Sequence, residues 1–194
     1  VTSMHPGSGK TFINLNLTSA LAINGKRILV VDCDFRRRTL SSFLNLKHKG
    51  FADYLALPSG DINDYVVKGV MYDTLDVLPV GTLPPNPSEL LTRPEFAKTI
   101  MCLKEQYDFI FLDCPPVDIV ADTQIVAPIA DRTLFVIRAG LFDKREIVEI
   151  NKMIDAKKYN TVSIILNDTM EYSGSHYGSN SYAYKKRYYV GKDE

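Results

Sequence analysis

Apolar runs that end on a polar residue punctuate the chain. Ile28–Val31 reads ILVV and gives way to Asp32, and Tyr107–Asp113 reads YDFIFLD. Thr133–Ile137 reads TLFVI, and Val162–Leu166 reads VSIIL and stops at Asn167. Short, continuous, β-branched runs of this kind predict strands buried on both faces, which belong to parallel sheets. Leu75–Val80 alternates and ends in Pro-Val-Gly, so it predicts a short or edge strand. Helical spacing fills the gaps. Phe12–Ala22 contains neither Pro nor Gly. Thr92 and Glu95 have capping-box spacing ahead of Phe96, Ile100 and Leu103 on one face. Asp143 and Glu146 repeat that spacing ahead of Ile147, Ile150 and Ile154, and Asp122–Ala130 is a further helix. Short helical pieces are expected at Thr39–Leu46, Asp53–Leu57 and Asp61–Val67, the last two around a Pro58-Ser59-Gly60 turn. Gly81–Leu91 (GTLPPNPSELL) reads as an extended loop, because its prolines fix φ. Strand and helix alternate throughout. The fold class is therefore α/β, a mainly parallel sheet flanked by helices on both faces.

The pattern stops after Asp168. Tyr172, Tyr177, Tyr182, Tyr184, Tyr188 and Tyr189 follow, spaced by Ser, Gly, Asn and Lys. Such a segment cannot build a core. A folded domain over residues 1–167 and a flexible tail over 168–194 are expected. Length and composition agree: 194 residues, 45% hydrophobic and 24% charged, suit one globular domain. With 23 basic and 23 acidic residues, nothing in the overall charge points to nucleic acid. Cys33, Cys102 and Cys114 lack C-x-x-C spacing, which implies a reducing compartment without a disulfide framework or a zinc site. Cys33 and Cys114 read as buried structural thiols. No run of ~18 apolar residues predicts a membrane span, and no signal peptide is visible. The chain lacks an initiator Met, and any strand ahead of residue 4 is cut to Val1-Thr2-Ser3. A piece of a longer chain is expected.

The chemistry begins at Pro6-Gly7-Ser8-Gly9-Lys10-Thr11, the second half of a G-x-x-x-x-G-K-[ST] phosphate-binding loop in which Met4 replaces the first Gly. Small residues let backbone N–H groups close around phosphate oxygens. Lys10 reaches the outer phosphates, Thr11 offers a hydroxyl to Mg²⁺, and a helix starting here turns its positive end to the anion. Asp32 and Asp34 alternate with Cys33, so both carboxylates are expected on one side of a strand's carboxyl end, where ligands of open α/β sheets bind. Asp113 ends a second such strand. Each acid alone is also readable as a strand-end cap; the three together, behind GSGKT, favour a Mg-nucleotide site. Arg36-Arg37-Arg38 reads first as a solvated charged face, and second as a group that attracts acidic partners or transferring phosphate.

These motifs resemble those of the bacterial tyrosine kinases of capsule and exopolysaccharide export, the Wzc-like co-polymerase kinases. The pattern stands here as PGSGKT at Pro6–Thr11, ILVVDCDFR at Ile28–Arg36 and FIFLDCPP at Phe109–Pro116. PPNPSELL at Pro84–Leu91 and the Tyr-rich tail also resemble that family. The resemblance implies a P-loop NTPase-like domain with ATP and Mg²⁺ as cofactors. Pro6 to Phe12 would bind ATP, Lys10 holding its phosphates. Thr11 and Asp34 would ligate Mg²⁺, Asp113 acting through water. Asp32 would orient or deprotonate the attacking tyrosine hydroxyl, the division of roles between Asp32 and Asp34 staying open. Asn167 is a candidate adenine contact or a plain strand-end residue. The tail tyrosines would be phosphorylated by neighbouring copies in a ring-like homo-oligomer. Further implied partners are a membrane-anchored activator, in the same chain or another, and a cognate tyrosine phosphatase; the place implied is the cytoplasmic face of the bacterial inner membrane. The alternative is a nucleotide-switched ATPase of the ParA/MinD kind. Its signature Lys would stand where this chain has His5, which here reads as a structural residue.

Overall fold

Why the sheet forms is clearest in β2, Ile28–Asp32, every residue of which is buried. Its odd positions, Leu29 and Val31, pack with Phe51, Leu55, Leu90, Leu91, Phe96 and Ile100 on one side. Its even positions, Ile28 and Val30, pack with Leu15, Ala22 and Leu40 on the other. A strand apolar at both parities thus demands helices on both faces, and the chain supplies them. The structure is a computed structural model and describes residues 1–58, 60–118 and 121–169. Tyr172, Tyr177, Tyr182, Tyr184, Tyr188 and Tyr189 lie outside the described residues.

In chain order the elements are β1 (Thr2–Ser3), α1 (Lys10–Ile23), β2, α2 (Thr39–Phe43), α3 (Phe51–Ala56) and β3 (Leu75–Leu78). Then come α4 (Pro87–Thr92), α5 (Pro94–Leu103), β4 (Phe109–Asp113), α6 (Asp122–Val126), β5 (Thr133–Arg138), α7 (Ile147–Asp155) and β6 (Val162–Asn167). Short 3₁₀ turns occupy Ile62–Tyr65, Ala127–Ile129 and Lys144–Glu146. The strands form two three-stranded parallel sheets, ordered β3-β2-β4 and β1-β5-β6. Backbone bonds from Val1 N to Leu112 O (2.7 Å) and from Cys114 N to Val1 O (3.0 Å) stitch β4 to β1. The result is one P-loop NTPase-like sheet whose strands share a direction, so their carboxyl ends form a single edge.

Three local expectations need correction. Pro87–Thr92 is helical, not extended. Pro87 stands in the first turn, where a missing N–H costs nothing, and the turn buries Leu90 and Leu91. The Thr92–Glu95 box does not form, because Pro94 forces the residue before it out of the α region. Arg93 is extended at ψ 139, and Thr92 Oγ1 donates instead to Glu89 O of the preceding helix at 2.8 Å. Asp143 does cap, accepting from Arg145 N, but on a 3₁₀ turn, and Glu146 turns away to His5. β3 lies at an edge of its sheet yet is buried throughout, covered by an antiparallel bridge from Val67 to Val77.

Candidate active site

The phosphate loop leaves β1 and enters α1 through two left-handed glycines, Gly7 (φ 75°) and Gly9 (φ 88°). Residues with a Cβ rarely adopt these angles, which is the physical reason for the Gly-x-Gly spacing. Two hydroxyls converge on the His5 carbonyl: Ser3 Oγ and Ser8 Oγ each donate at 2.8 Å. Gly9 caps α1 without a side-chain bond, and no acid stands in the first turn. The N–H groups at this helix end are therefore open to an anion.

Register brings the acids to the loop. β2 and β4 pair so that Asp32 lies opposite Asp113. Asp113 is buried, and its Oδ2 accepts from Thr11 Oγ1 at 3.0 Å. Its other oxygen, Oδ1, is buried without a hydrogen-bond partner among the described residues. Burial raises the pKa of Asp113, opposed by Thr11 and Lys10. Burial in turn lowers that of Lys10, opposed by Asp113 and Asp34. Lys10 and Asp34 border one cavity of about 150 Å³ with Pro6, Gly7, Arg36, Arg37, Thr39, Pro115 and Pro116. A larger, more open hollow of about 430 Å³ is lined by Lys47, His48, Lys49, Asp64 and Tyr65, and no residue of the phosphate loop borders it.

Asp32 and Asp34 do not open on the same space, contrary to the alternation argument. The strand ends at Asp32, and the chain turns. Asp34 accepts from Arg37 N (3.1 Å) and Thr39 Oγ1 (2.9 Å) and borders the cavity. Asp32 is fully buried behind it. It accepts from Asp34 N (3.1 Å), Ser41 N (2.8 Å) and Ser41 Oγ (2.7 Å). Burial pushes its pKa up to about 7, although those donors pull it back. Cys33 and Cys114 are buried free thiols on the neighbouring strand ends, and Phe12 is exposed.

The arginine run is not simply a solvated face. Arg36 forks onto buried Asp122, Nε to Oδ2 at 2.8 Å and Nη2 to Oδ1 at 3.3 Å. Ser88 Oγ joins them, donating to Asp122 Oδ1 at 2.6 Å. The cluster ties the turn after β2 to α6 and α4 and holds Arg36 at the cavity rim. Asn167 lies against the loop itself, its Nδ2 donating to Ser8 O at 3.0 Å. Sequence reasoning missed Asp122, Ser88 and Arg138, whose Nη1 donates to Gly7 O at 3.1 Å. Only Arg138 had a signal, a charged residue closing an apolar strand run.

The donor set fits a Mg-nucleotide. Mg²⁺ prefers oxygen ligands, few carboxylates and several waters. Thr11, Asp34 and the unpartnered oxygen of Asp113 supply hard oxygens beside an uncapped helix end and a half-buried lysine.

The AAA domain family matches the chain over residues 1–168. The tyrosine-protein kinase Wzc of Salmonella typhimurium is 31% identical over 188 residues, 95% of this chain and 26% of Wzc. The tyrosine-protein kinase CpsD of Streptococcus agalactiae is 30% identical over 173 residues, 88% of this chain and 74% of CpsD. Against the first of these curated relatives, the chain spans about a quarter of their length. The kinase domain of the Escherichia coli tyrosine kinase ETK superposes with a TM-score of 0.82 at 28% identity, over 92% of this chain and 71% of that one. MinD of Pyrococcus horikoshii, complexed with Mg-ADP, reaches 0.70 over 95% of this chain and 74% of that one, but at 22% identity it shows the fold alone. Motifs, fold and relatives agree: the chain belongs to the AAA domain family and, within it, to the bacterial tyrosine-protein kinases that include Wzc and CpsD.

Proposed function

We propose that this chain is the catalytic domain of an ATP-dependent protein-tyrosine kinase that phosphorylates the tyrosines of residues 168–194 on a neighbouring copy. That transfer regulates polymerisation and export of a capsule or exopolysaccharide, at the cytoplasmic face of the inner membrane and under a membrane-anchored activator. A cognate phosphatase reverses it. The observation that carries the reading is the convergence of Lys10, Thr11, Asp34 and Asp113 on one carboxyl edge. Phosphoryl transfer needs positioning and charge neutralisation more than covalent chemistry. Lys10 holds the outer phosphates. Thr11 and Asp34 hold Mg²⁺, and Asp113 acts on it through water. Bound Mg²⁺ neutralises charge on the transferring phosphate. A tyrosine hydroxyl has a pKa of ~10, so a carboxylate that takes its proton promotes attack near neutral pH. Asp34 borders the cavity and Asp32 is buried behind it. That arrangement favours Asp34 for direct contact, with Asp32 fixing the turn that carries it. A ParA/MinD-type switch is disfavoured by His5 at the signature Lys position.

The test is incubation with labelled ATP and Mg²⁺, with the activator segment fused, and detection of phosphotyrosine in residues 168–194. Label on those tyrosines that disappears in Lys10→Met is the expected result. Phosphate release without protein label overturns the kinase reading in favour of an ATPase switch.

A further inference from the structure

The outer face of the phosphate loop rests on the ends of β5 and β6. Arg138 and Asn167 close those strands and lie opposite each other in register. Arg138 Nη1 donates to Gly7 O at 3.1 Å, and Asn167 Nδ2 donates to Ser8 O at 3.0 Å. Arg138 is itself held, its Nε and Nη2 donating to Asp168 Oδ2 at 3.0 and 2.8 Å. The two anchored carbonyls are consecutive. In a planar trans peptide, C=O and N–H point in opposite directions. Fixing Gly7 O on the strand side therefore turns the Ser8 N–H away from the strands. Fixing Ser8 O does the same for the Gly9 N–H. A Cβ at Gly9 would collide with the Asn167 amide, so the anchor and the glycine fit each other.

We propose that Arg138 and Asn167 are positioning residues. They hold the carbonyls of Gly7 and Ser8 so that the amides of Ser8 and Gly9 meet the polyphosphate of the nucleotide. Asp168 keeps the Arg138 fork in place. The proposal rests on the nucleotide-binding reading above and assigns Asn167 to the loop in place of the base. It also separates two kinds of ligand. A residue that shapes the loop affects any polyphosphate, whereas a residue that touches adenine affects only nucleotides.

The experiment is isothermal titration of the full 194-residue chain with Mg-ATP and, separately, with Mg-tripolyphosphate, which has no base. Arg138→Ala, Asn167→Ala and Asp168→Ala are compared with wild type, and thermal melts report folding. Arg138 and Asp168 are each nearly half exposed, at 45% and 48%, so these changes leave the core intact. Asn167→Ala and Arg138→Ala are expected to weaken both ligands by the same factor, about tenfold, the worth of one well-placed hydrogen bond. Asp168→Ala is expected to weaken both by less. Should Arg138→Ala fail to fold, Arg138→Lys takes its place; it keeps a donor for Gly7 O but not the fork, and its loss is intermediate. Asn167→Ala weakening ATP while sparing tripolyphosphate overturns the proposal and makes Asn167 a base contact. Unchanged affinity for both ligands in folded variants overturns it as well. A wild-type chain that binds neither ligand overturns the nucleotide reading itself, and this proposal with it.

Discussion

The two halves of the sheet do the same job by opposite means. In β2 every side chain is buried, and with β4 it delivers Asp32 and Asp113 to the carboxyl edge. In β6, at the other edge, Ile164 and Leu166 are 45% and 56% exposed, and the strand delivers Asn167. On the first side, the candidate acids are placed by packing: their backbone cannot move without opening the core. On the second, the loop's backbone is placed by polar contacts at the surface. Burial gives rigidity and shifts pKa values, as it does at Asp32 and Asp113. Surface hydrogen bonds fix direction at low cost, and they are the easier contacts to release.

The widest way to break this comparison is to remove packing from each side. Leu29→Ala, in the fully buried strand, should cost about 2–5 kcal/mol, since it loses both transfer energy and packing contacts. Ile164→Ala should cost less than about 1 kcal/mol, because much of that side chain already meets water. Chemical denaturation measures both. Equal costs would mean that β6 is as much a part of the core as β2. Asp113→Asn sharpens the same contrast at the site. Tyrosine phosphorylation should fall by about 10²–10³-fold, the usual scale for losing one electrostatic contact at a reacting phosphate. The ligand-free fold should melt no lower than wild type, since a buried carboxylate with a bare oxygen costs desolvation. A drop in melting temperature would make Asp113 a structural cap.

The difference between the halves also explains what could be read from the chain. ILVVD and FIFLD are legible because an apolar run fixes a strand and the acid after it fixes the edge. PGSGKT is legible because only those residue types make that loop. Asp122 was not, and Arg138 offered only a charge at the end of an apolar run. Their meaning depends on β5 lying beside β1 and on α4 meeting the segment after β4, pairings that no local pattern encodes. Asp32 and Asp34 failed for a smaller reason. Alternation holds only while the strand continues, and the strand ends at Asp32. Pro87 misled because proline stops helices in their interior but starts them at the first turn.

The smallest expected effect lies at the loop's entrance, where the two halves meet. His5 Nδ1 is 2.8 Å from Asp118 Oδ2, and Nε2 is 2.7 Å from Glu146 Oε2. A neutral imidazole has one N–H and can donate to only one of them; the protonated ring donates to both. Bonds to Glu146 and Asp118 accordingly raise its pKa above the ordinary histidine value, against a little burial. The folded state then holds a proton that the unfolded chain releases near pH ~6.5. The bridge's stabilisation is complete below that pH and is lost as pH rises through the higher folded-state value. His5→Gln should melt below wild type at pH 6, by about 2–4 °C for a bridge worth about 1 kcal/mol in a chain of this size. The gap should close as pH rises, with the other titrating groups cancelling in the comparison. Melting curves from pH 5.5 to 9 at low salt decide it. A gap that stays constant with pH would show that the ring acts by packing alone, and that no charge joins the loop to Asp118 and to the turn before α7.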